Sequence, residues 1–455
     1  MRNSEQTHDF KGRVNSMSIY KRIGFIKNVL LAFHLLVLIS ACADSSEGNS
    51  KNSPRGPYLQ NPSSTTMVVR WRAKKPSSGN VSYGKNPNAL IDMAVGASKS
   101  ASSLTNDHEI LLEHLTPDTR YYYKIDDQDK VYSFKTPPPE GVARPTRVWL
   151  LGDSGTGGLK QQFVREAFYD FNNGESSTNL MIMLGDLSQG EGSEEEYQRE
   201  FFQIYRSTLH STPVVSTIGN HDVRTNEGAP YFDMFTLPID GKTGGVASGT
   251  ERYYSFNYSN IHFVCLDTIL SDRSPAGPMY SWLITDLAAN TQDWTVVFLH
   301  QPPYTKGTYD SDSADSFEYP MTEVREIFTP VFEMYGVDLV FAGHSHVYER
   351  SFPIIGHQGT SDTFLGSMKT DSGNGRIDGD GIYRKPYNSN TYGIIYTVAG
   401  SAGKVRSGPL NHPVNYSSLG ELGSVVLDFD DDVVDVTFVS PDPAITDYYT
   451  IAKVP

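Results

Sequence analysis

The spacing of apolar and polar residues changes once along the chain, near residue 140. From Pro54 to about Pro138, short β-prone segments such as Met67-Val68-Val69-Arg70-Trp71 are separated by turn residues. Short strands punctuated by turns in this way predict a small β-sandwich. A run of three prolines at 137–139 marks its end.

Beyond about Val142 the apolar runs become continuous, at residues 148–151 and 180–184 for example, as in strands buried on both faces. Helical spacing lies between them. Three sets of residues show it: Phe163, Ala167, Phe168 and Phe171; Tyr197, Phe201, Tyr205 and Leu209; and Val324, Ile327, Phe328, Val331 and Tyr335, followed by Gly336. Alternating strands and helices predict a layered α/β domain over 143–455, with sheets flanked by helices.

The N-terminus has the composition of a targeting segment. An apolar run at 29–39 is too short to span a bilayer, and Lys21, Arg22 and Lys27 precede it. A basic region, a short apolar run and small residues before a cut describe a signal peptide, which we expect over residues 1–42.

The residues Ile39-Ser40-Ala41-Cys42 at the cut resemble a bacterial lipobox, in which the Cys42 thiol is acylated and begins the mature chain. The alternative is a plain secretory signal with an incidental cysteine. The polar segment 43–53, which is rich in Ser, Asn and Gly, is expected to be a flexible tether. These residues predict an exported lipoprotein, periplasmic or on the cell surface, anchored to a bacterial membrane through its N-terminus.

The net charge of the chain limits the classes of partner that it can bind, and its second cysteine has a predicted structural role. Without residues 1–41 the chain carries 32 basic and 51 acidic residues, a formal charge of −19. Such a balance argues against nucleic acid as the main partner. The other cysteine, Cys265, lies in an apolar run and is expected to be a small buried hydrophobe.

Five apolar runs each end in a short polar motif. Loops at the carboxyl ends of strands converge at one edge of a layered α/β domain. Each motif alone could be an ordinary turn, whereas all five together predict that their side chains meet. The motifs are Gly152-Asp153-Ser154-Gly155, Gly185-Asp186-Leu187-Ser188, Gly219-Asn220-His221-Asp222, His300-Gln301-Pro302-Pro303 and Gly343-His344-Ser345-His346.

The ligand types in these motifs indicate the chemistry. Carboxylate and amide oxygens mixed with imidazole suit metals such as Fe, Zn and Mn. Two such ions about 3.5–4 Å apart can share a carboxylate and clamp a phosphoryl group for in-line displacement. Bound metal would also supply the local positive charge that an acidic chain needs to attract a phosphate.

Longer segments resemble the purple acid phosphatase branch of the calcineurin-like metallophosphoesterases. Residues 337–350, which contain Gly343-His344-Ser345-His346, are close to that family's most specific signature. Residues 55–60 and the strands that follow resemble its N-terminal fibronectin type III-like domain. Segments 379–381 and 399–404 are similar to bacterial members, and 425–429 with 434–438 fit its closing strand pair.

The resemblance implies a role for each motif residue. Asp186 would bridge two metal ions. His221 would not bind metal but would face the phosphate together with Asn220, where it stabilises the transition state or protonates the leaving oxygen. The remaining ligands would divide between the ions: Asp153 and His346 at the first, and Asn220, His300 and His344 at the second.

Three positions depart from the family pattern. The family has a Tyr ligand three residues after the bridging Asp, where this chain has Gln189. Relatives without that Tyr have His two residues after the first Asp, where Gly155 stands. Plant members carry His about nine positions after the ligand that matches His300, and here Tyr309 and Asp310 occupy that place. His412 could reach the pocket or lie on a surface loop.

Two functions from different classes follow. The first is an acid phosphatase-like phosphomonoesterase or phosphodiesterase acting on small phosphate esters. In it a metal-bound hydroxide attacks phosphorus, and His221 or water protonates the leaving alkoxide. The alternative is a catalytically weak relative that binds phosphorylated ligands or surface glycans, which the weakened first metal site and the β-sandwich favour.

Overall fold

Two four-stranded sheets pack face to face in the first part of the chain. The computed structural model describes residues 53–125, 128–315, 317–387 and 389–455. The sheets have the strand orders β1-β2-β6-β5 and β4-β3-β7-β8, and Trp71, Ile110 and Tyr123 lie in the core between them. The strands are β1 Arg55–Gln60, β2 Met67–Lys74, β3 Asn80–Gly84, β4 Asp92–Val95, β5 Ala97–Ser100, β6 Thr105–Leu112, β7 Arg120–Ile125 and β8 Tyr132–Lys135.

Buried polar contacts join this β-sandwich to the rest of the protein. Arg55 and Arg72 both form ion pairs with Glu194. The hydroxyl of Tyr58 donates to the carbonyl oxygen of Met234 at 3.0 Å. Because buried ion pairs and hydrogen bonds need exact partners, these contacts fix the orientation of the sandwich on the second domain.

Two seven-stranded sheets form the centre of the second domain. Their strand orders are β11-β10-β9-β20-β21-β22-β17 and β12-β13-β14-β15-β18-β16-β19. The strands are β9 Thr146–Leu151, β10 Leu180–Met183, β11 Val214–Ser216, β12 Tyr254–Tyr258, β13 Ile261–Cys265, β14 Trp294–Leu299, β15 Leu339–Ala342, β16 Tyr348–Ser351, β17 Tyr383–Pro386, β18 Ile395–Ala399, β19 Asn415–Leu419, β20 Ser424–Asp430, β21 Val433–Val439 and β22 Thr446–Val454.

Helices cover these sheets, as the helical spacing predicts, with one difference in the first. Its buried face consists of Gln161, Val164 and Phe168, while Phe163 is 53% exposed. The expected stripe through Phe163 was therefore wrong, because the sheet contacts the neighbouring face. The main helical segments are Leu159–Phe171, Glu194–Glu196 continuing into Tyr197–Phe202, Arg206–Leu209, Ala229–Met234, Pro278–Ala289, Tyr319–Glu323, Val324–Phe328 and Thr329–Met334; short turns of 3-10 helix lie at Asn226–Gly228, Ser361–Thr363 and Gly366–Met368.

The strands that precede the five polar motifs belong to both large sheets. β9, β10 and β11 are neighbours in one sheet and run parallel, whereas β14 and β15 are parallel neighbours in the other. Their carboxyl-terminal loops meet where the two sheets end side by side. The fold is therefore the expected layered α/β domain preceded by a small all-β domain.

The prediction for Cys265 is confirmed, whereas the predictions for the N-terminal segment fall on residues that the structure does not describe. Cys265 is a free, buried thiol within β13, as predicted. The signal peptide at 1–42, its Cys42 and the tether as far as Asn52 lie outside the described residues. Within the described ranges, no helix has both the length and the apolar character that crossing a membrane requires.

Candidate metal centre

Three of the candidate ligands have an unusual backbone conformation. Asp153, Asp186 and His344 follow their strands closely and have φ values of 55°, 52° and 66°. Residues other than glycine seldom occupy this left-handed region, and each instance costs on the order of 1–3 kcal/mol. The surrounding loops hold these three side chains in place at that cost, which is typical of functional sites.

Glycines let the loops approach one another closely. Gly185 has φ +85°, and a Cβ atom there would lie 2.4 Å from Nδ1 of His300. A Cβ atom at Gly343 would lie 2.6 Å from Oδ2 of Asp153. Glycine at these two positions is therefore required for the packing of ligands that belong to other motifs.

Asp153, Asp186 and His300 form the central cluster of the site. One ligand atom from each lies within 4.8 Å of the others, and all three side chains are buried. The Nε2 atom of His300 is 3.7 Å from Oδ1 of Asp186. This group has the ligand types and spacing to hold a metal ion.

Asn220 brings two imidazoles to the same point. Its Oδ1 atom lies 3.0 Å from Nε2 of His300 and 2.9 Å from Nδ1 of His344. The Nδ1–H of His300 donates to the carbonyl oxygen of Leu184 at 2.8 Å. In a neutral His300, Nε2 is then an acceptor, and its lone pair faces another acceptor, Oδ1 of Asn220. A cation bound by both atoms would stabilise this arrangement.

His346 lies beside the first carboxylate. Its Nε2 atom is 3.4 Å from Oδ1 of Asp153, and Oδ2 of Asp153 accepts the backbone amide of His344 at 2.6 Å. His346 therefore neighbours Asp153, whereas Asn220 lies beside His300 and His344.

The electrostatics of the cluster fit a bound cation. Burial raises the pKa of Asp153 and of Asp186, and the proximity of the two carboxylates raises that of Asp186 further. Burial also lowers the pKa of His346 to about 4 and that of His344 well below its usual value. The imidazoles are therefore neutral, and the buried carboxylates lack a sufficient positive charge beside them. A metal ion bound by both kinds of side chain would supply that charge.

His221 borders the cluster without contributing a ligand atom to it. Its Nδ1–H donates to the carbonyl oxygen of Gly190 at 3.0 Å. Its Nε2 atom is therefore an acceptor, which lies 3.9 Å from Oδ2 of Asp186 and 3.4 Å from Nη2 of Arg224. Burial lowers the pKa of His221, although the Asp186 carboxylate opposes this effect. The side chain is 16% exposed, so its ring is accessible to a substrate.

Two of the three departures from the family pattern, Gly155 and Gln189, lie together near Asp153. A Cβ atom at Gly155 would be 2.1 Å from the carbonyl oxygen of Leu187, so no side chain fits there. The backbone amide of Gln189 donates to the carbonyl oxygen of Gly155 at 2.7 Å. The Gln189 side chain makes no hydrogen bond of ordinary geometry, but it is close enough to Asp153 to lower that group's pKa, after the larger and opposite effect of burial.

Two residues that the sequence analysis assigned no role support the site. Asp222 accepts the backbone amides of Asp186 and Gly219 at 2.8 and 2.9 Å. Lys404 follows a loop whose Ala402 amide donates to the carbonyl oxygen of Gly152 at 3.2 Å, and its charge lowers the pKa of His346 in addition to the larger effect of burial. The motif Gly219-Asn220-His221-Asp222 already contained the signal for Asp222.

His412 takes neither of its expected positions. It is 3% exposed, and its ring lies 5.7 Å from that of Tyr304 and 6.3 Å from that of His357. It belongs to a buried aromatic cluster, which corrects the expectation of a surface loop. Tyr309, which stands where plant members carry a histidine, stacks on His344 with ring centroids 4.2 Å apart.

Comparison with known proteins identifies both domains. Residues 146–348 match the family model "Calcineurin-like phosphoesterase", and residues 54–136 match "Purple acid Phosphatase, N-terminal domain". Both domains therefore resemble those of purple acid phosphatase-like calcineurin-like metallophosphoesterases. These matches support the family resemblance seen in the sequence, and together with the similar proteins they indicate a phosphoric ester hydrolase.

Similar proteins support this family and its fold. Purple acid phosphatase 23 of Arabidopsis thaliana is 28% identical over 64% of this chain and 67% of its own length. The lupin purple acid phosphatase PPD1 from Lupinus luteus seeds has a TM-score of 0.68 at 18% identity, over 88% of this chain and 75% of that one. PhoD has a TM-score of 0.57 at 15% identity, over 89% and 90%. The chain spans roughly two thirds of the length of the first three curated relatives.

Proposed function

We propose that this metallophosphoesterase hydrolyses small phosphate esters with a dinuclear metal centre. The observation that carries the proposal is the buried cluster of Asp153, Asp186 and His300, whose ligand atoms lie within 4.8 Å of one another. Asn220 and His344 adjoin this cluster at His300, and His346 adjoins it at Asp153. The donor set suits Fe, Zn or Mn.

The position of each candidate residue in the cluster suggests its role. Asp153 and His346 would hold one ion, Asn220, His300 and His344 the other, and Asp186 both. When bound, the ions would activate water and neutralise charge on the phosphoryl group. His221 and Asn220 would orient the phosphate, and His221, whose Nε2 faces the cluster, would donate to the leaving oxygen after accepting a proton.

Activity profiling of the full chain tests this function. The protein, reconstituted separately with Mn, Zn and Fe, should release phosphate from aryl and alkyl monoesters or cleave diesters, and Asp186→Ala should remove the activity. Metal binding without hydrolysis of any ester would instead support the binding relative, which the absence of a ligand at Gly155 and Gln189 favours.

We also propose export and lipid anchoring through Cys42, on the support of the sequence segment that ends in Ile39-Ser40-Ala41-Cys42. One acylated terminus would keep the protein in the membrane fraction. Cys42→Ser should abolish lipid labelling and release the protein from membranes. Unchanged processing and membrane retention in this variant would contradict the proposal.

A further inference from the structure

Two aromatic side chains, Tyr309, which is partly buried, and Phe317, which is exposed, lie beside the candidate metal ligands. The Tyr309 ring lies almost parallel to the His344 imidazole, with centroids 4.2 Å apart and an interplanar angle of 11°. The Phe317 ring lies 5.6 Å from Tyr309 and 5.7 Å from His344. We call Tyr309 and Phe317 the aromatic wall.

Phe317 lies beside a candidate metal ligand, and its ring remains partly open to solvent. It is 47% exposed and does not belong to the buried core clusters of the described residues. Its backbone amide donates to Oδ1 of Asp315 at 2.8 Å, which fixes the chain at this point. The exposed face of this ring is available to an apolar group of a bound ligand, and covering it would be favourable.

The same segment lacks a strong proton donor. Tyr309 and Asp310 occupy the positions where the family resemblance implies histidine. Asp310 is exposed and forms an ion pair with Lys306 at 2.5 Å, so it does not provide an acid at the cluster.

Leaving groups differ in how much they need such a donor. A phenol has a pKa of about 10, whereas water and simple alcohols ionise only near about 16, so an aryloxide leaves with far less help than an alkoxide. A substrate with a ring attached directly to its ester oxygen would therefore suit a site whose only proposed acid among the described residues is His221. The same ring would reach the wall, because His344 contacts both the wall and the cluster.

Resting on the proposed phosphoesterase function, we propose that the site selects phosphate esters of aromatic alcohols, whose ring packs against Phe317 and Tyr309. In the reaction the oxygen of water bonds to phosphorus and the bond between phosphorus and the aryl oxygen breaks. The aryloxide keeps the bonding pair and takes up a proton to give the phenol. The products are the phenol and inorganic phosphate, and no oxidant or reductant is needed.

Binding of two non-hydrolysable probes tests the wall independently of turnover. Phenylphosphonate should bind the metal-loaded full chain about tenfold more tightly than ethylphosphonate in titration calorimetry, as expected for one aromatic contact. Phe317→Ala should bring this ratio close to one, and Phe317→Tyr should retain it. Tyr319→Ala is the matched control, because Tyr319 is 50% exposed and lies two residues further along the chain.

Equal affinity of the wild-type protein for the two probes would overturn the inference, as would a ratio that Phe317→Ala leaves unchanged. Phe317→Leu, which keeps an apolar side chain, provides a second test should Phe317→Ala fold poorly, and should also lower the ratio. Turnover separates the two proposals. A preference for phenylphosphonate without hydrolysis of any ester would contradict the proposed function alone, whereas efficient hydrolysis with equal probe affinities would contradict only the wall.

Discussion

The carboxylate of Asp222 accepts a hydrogen bond from the backbone amide of Asp186, with 2.8 Å between the two atoms. Asp186 has a left-handed φ of 52°, and the contact stabilises that conformation. The other Asp222 oxygen accepts the hydroxyl of Tyr197 at 2.8 Å. Asp222 thus anchors the proposed bridging ligand to the helical segment behind it.

Asp222→Asn should weaken metal binding about 10–100-fold, as is usual for residues that orient a ligand. An amide has only one acceptor oxygen, so one of the two sets of hydrogen bonds is lost. Metal content after dialysis measures the effect. The control is Asp233→Asn, since the Asp233 side chain is 61% exposed. Equal metal content in the two variants would show that Asp222 does not support the site.

His221→Ala should lower kcat about 100-fold or more while leaving metal content near normal, because His221 faces the cluster from a position next to Asp186. Asp186→Ala should lose metal and activity together. Metal analysis beside steady-state kinetics distinguishes the two roles. Loss of the same amount of metal from both variants would mean that His221 is a ligand.

The protein should be colourless as purified, even with iron bound. The colour of the purple enzymes comes from a tyrosinate on ferric iron, and Gln189 stands at the matching position. Divalent ions such as Mn or Zn are therefore favoured, and one ion should be lost more readily to a mild chelator. Gln189→Tyr loaded with ferric iron should gain a visible charge-transfer band.

An intense band in the iron-loaded wild-type protein would contradict this assignment. Tyr309 would then be the first phenol to test, because it stacks on His344. Loss of the band in Tyr309→Phe would identify that residue as the ligand.

Lys404→Ala should raise KM for phosphate esters about tenfold, the usual effect of removing a charged hydrogen bond. Lys404 lies at the Asp153 end of the cluster, where its charge acts on Asp153, His221 and His346. Lys404→Arg should retain most affinity. The control is Lys242→Ala, at a side chain 84% exposed. Unchanged KM and unchanged inhibition by inorganic phosphate would remove Lys404 from the binding site.

Stability should fall as pH rises through neutrality, in part because of Glu349. Burial raises the pKa of Glu349 to about 7 from 4.5, while the amide of Lys306 and the side chain of Asn415 donate to it at 3.1 and 3.0 Å. A group whose pKa is raised by folding contributes stability that is complete below its unfolded pKa and lost as pH rises through the folded one.

Glu349→Gln should therefore reduce the fall in Tm between about pH 5 and pH 8, the range that spans both pKa values. Thermal unfolding followed by circular dichroism measures it. Glu326→Gln, at an exposed position, should leave the pH profile unchanged. A wild-type slope retained in Glu349→Gln would assign the pH dependence to other groups.

The sequence alone was sufficient for the fold class and for the motifs. Continuous apolar runs at 148–151 and 180–184 become parallel strands β9 and β10, because strands buried on both faces need no polar alternation. The closing pair at 425–429 and 434–438 becomes β20 and β21. These features depend on local spacing, which is visible in the sequence itself.

Other features were decided only by the tertiary structure. Asn220 lies beside His300 and His344, which are 80 and 124 residues away, and those loops come from two different sheets. The burial of His412 and the exposure of Phe163 and Phe317 likewise depend on which surfaces meet. Local spacing defines the faces of each element, whereas long-range packing selects the face that is buried and the side chains that meet at the site.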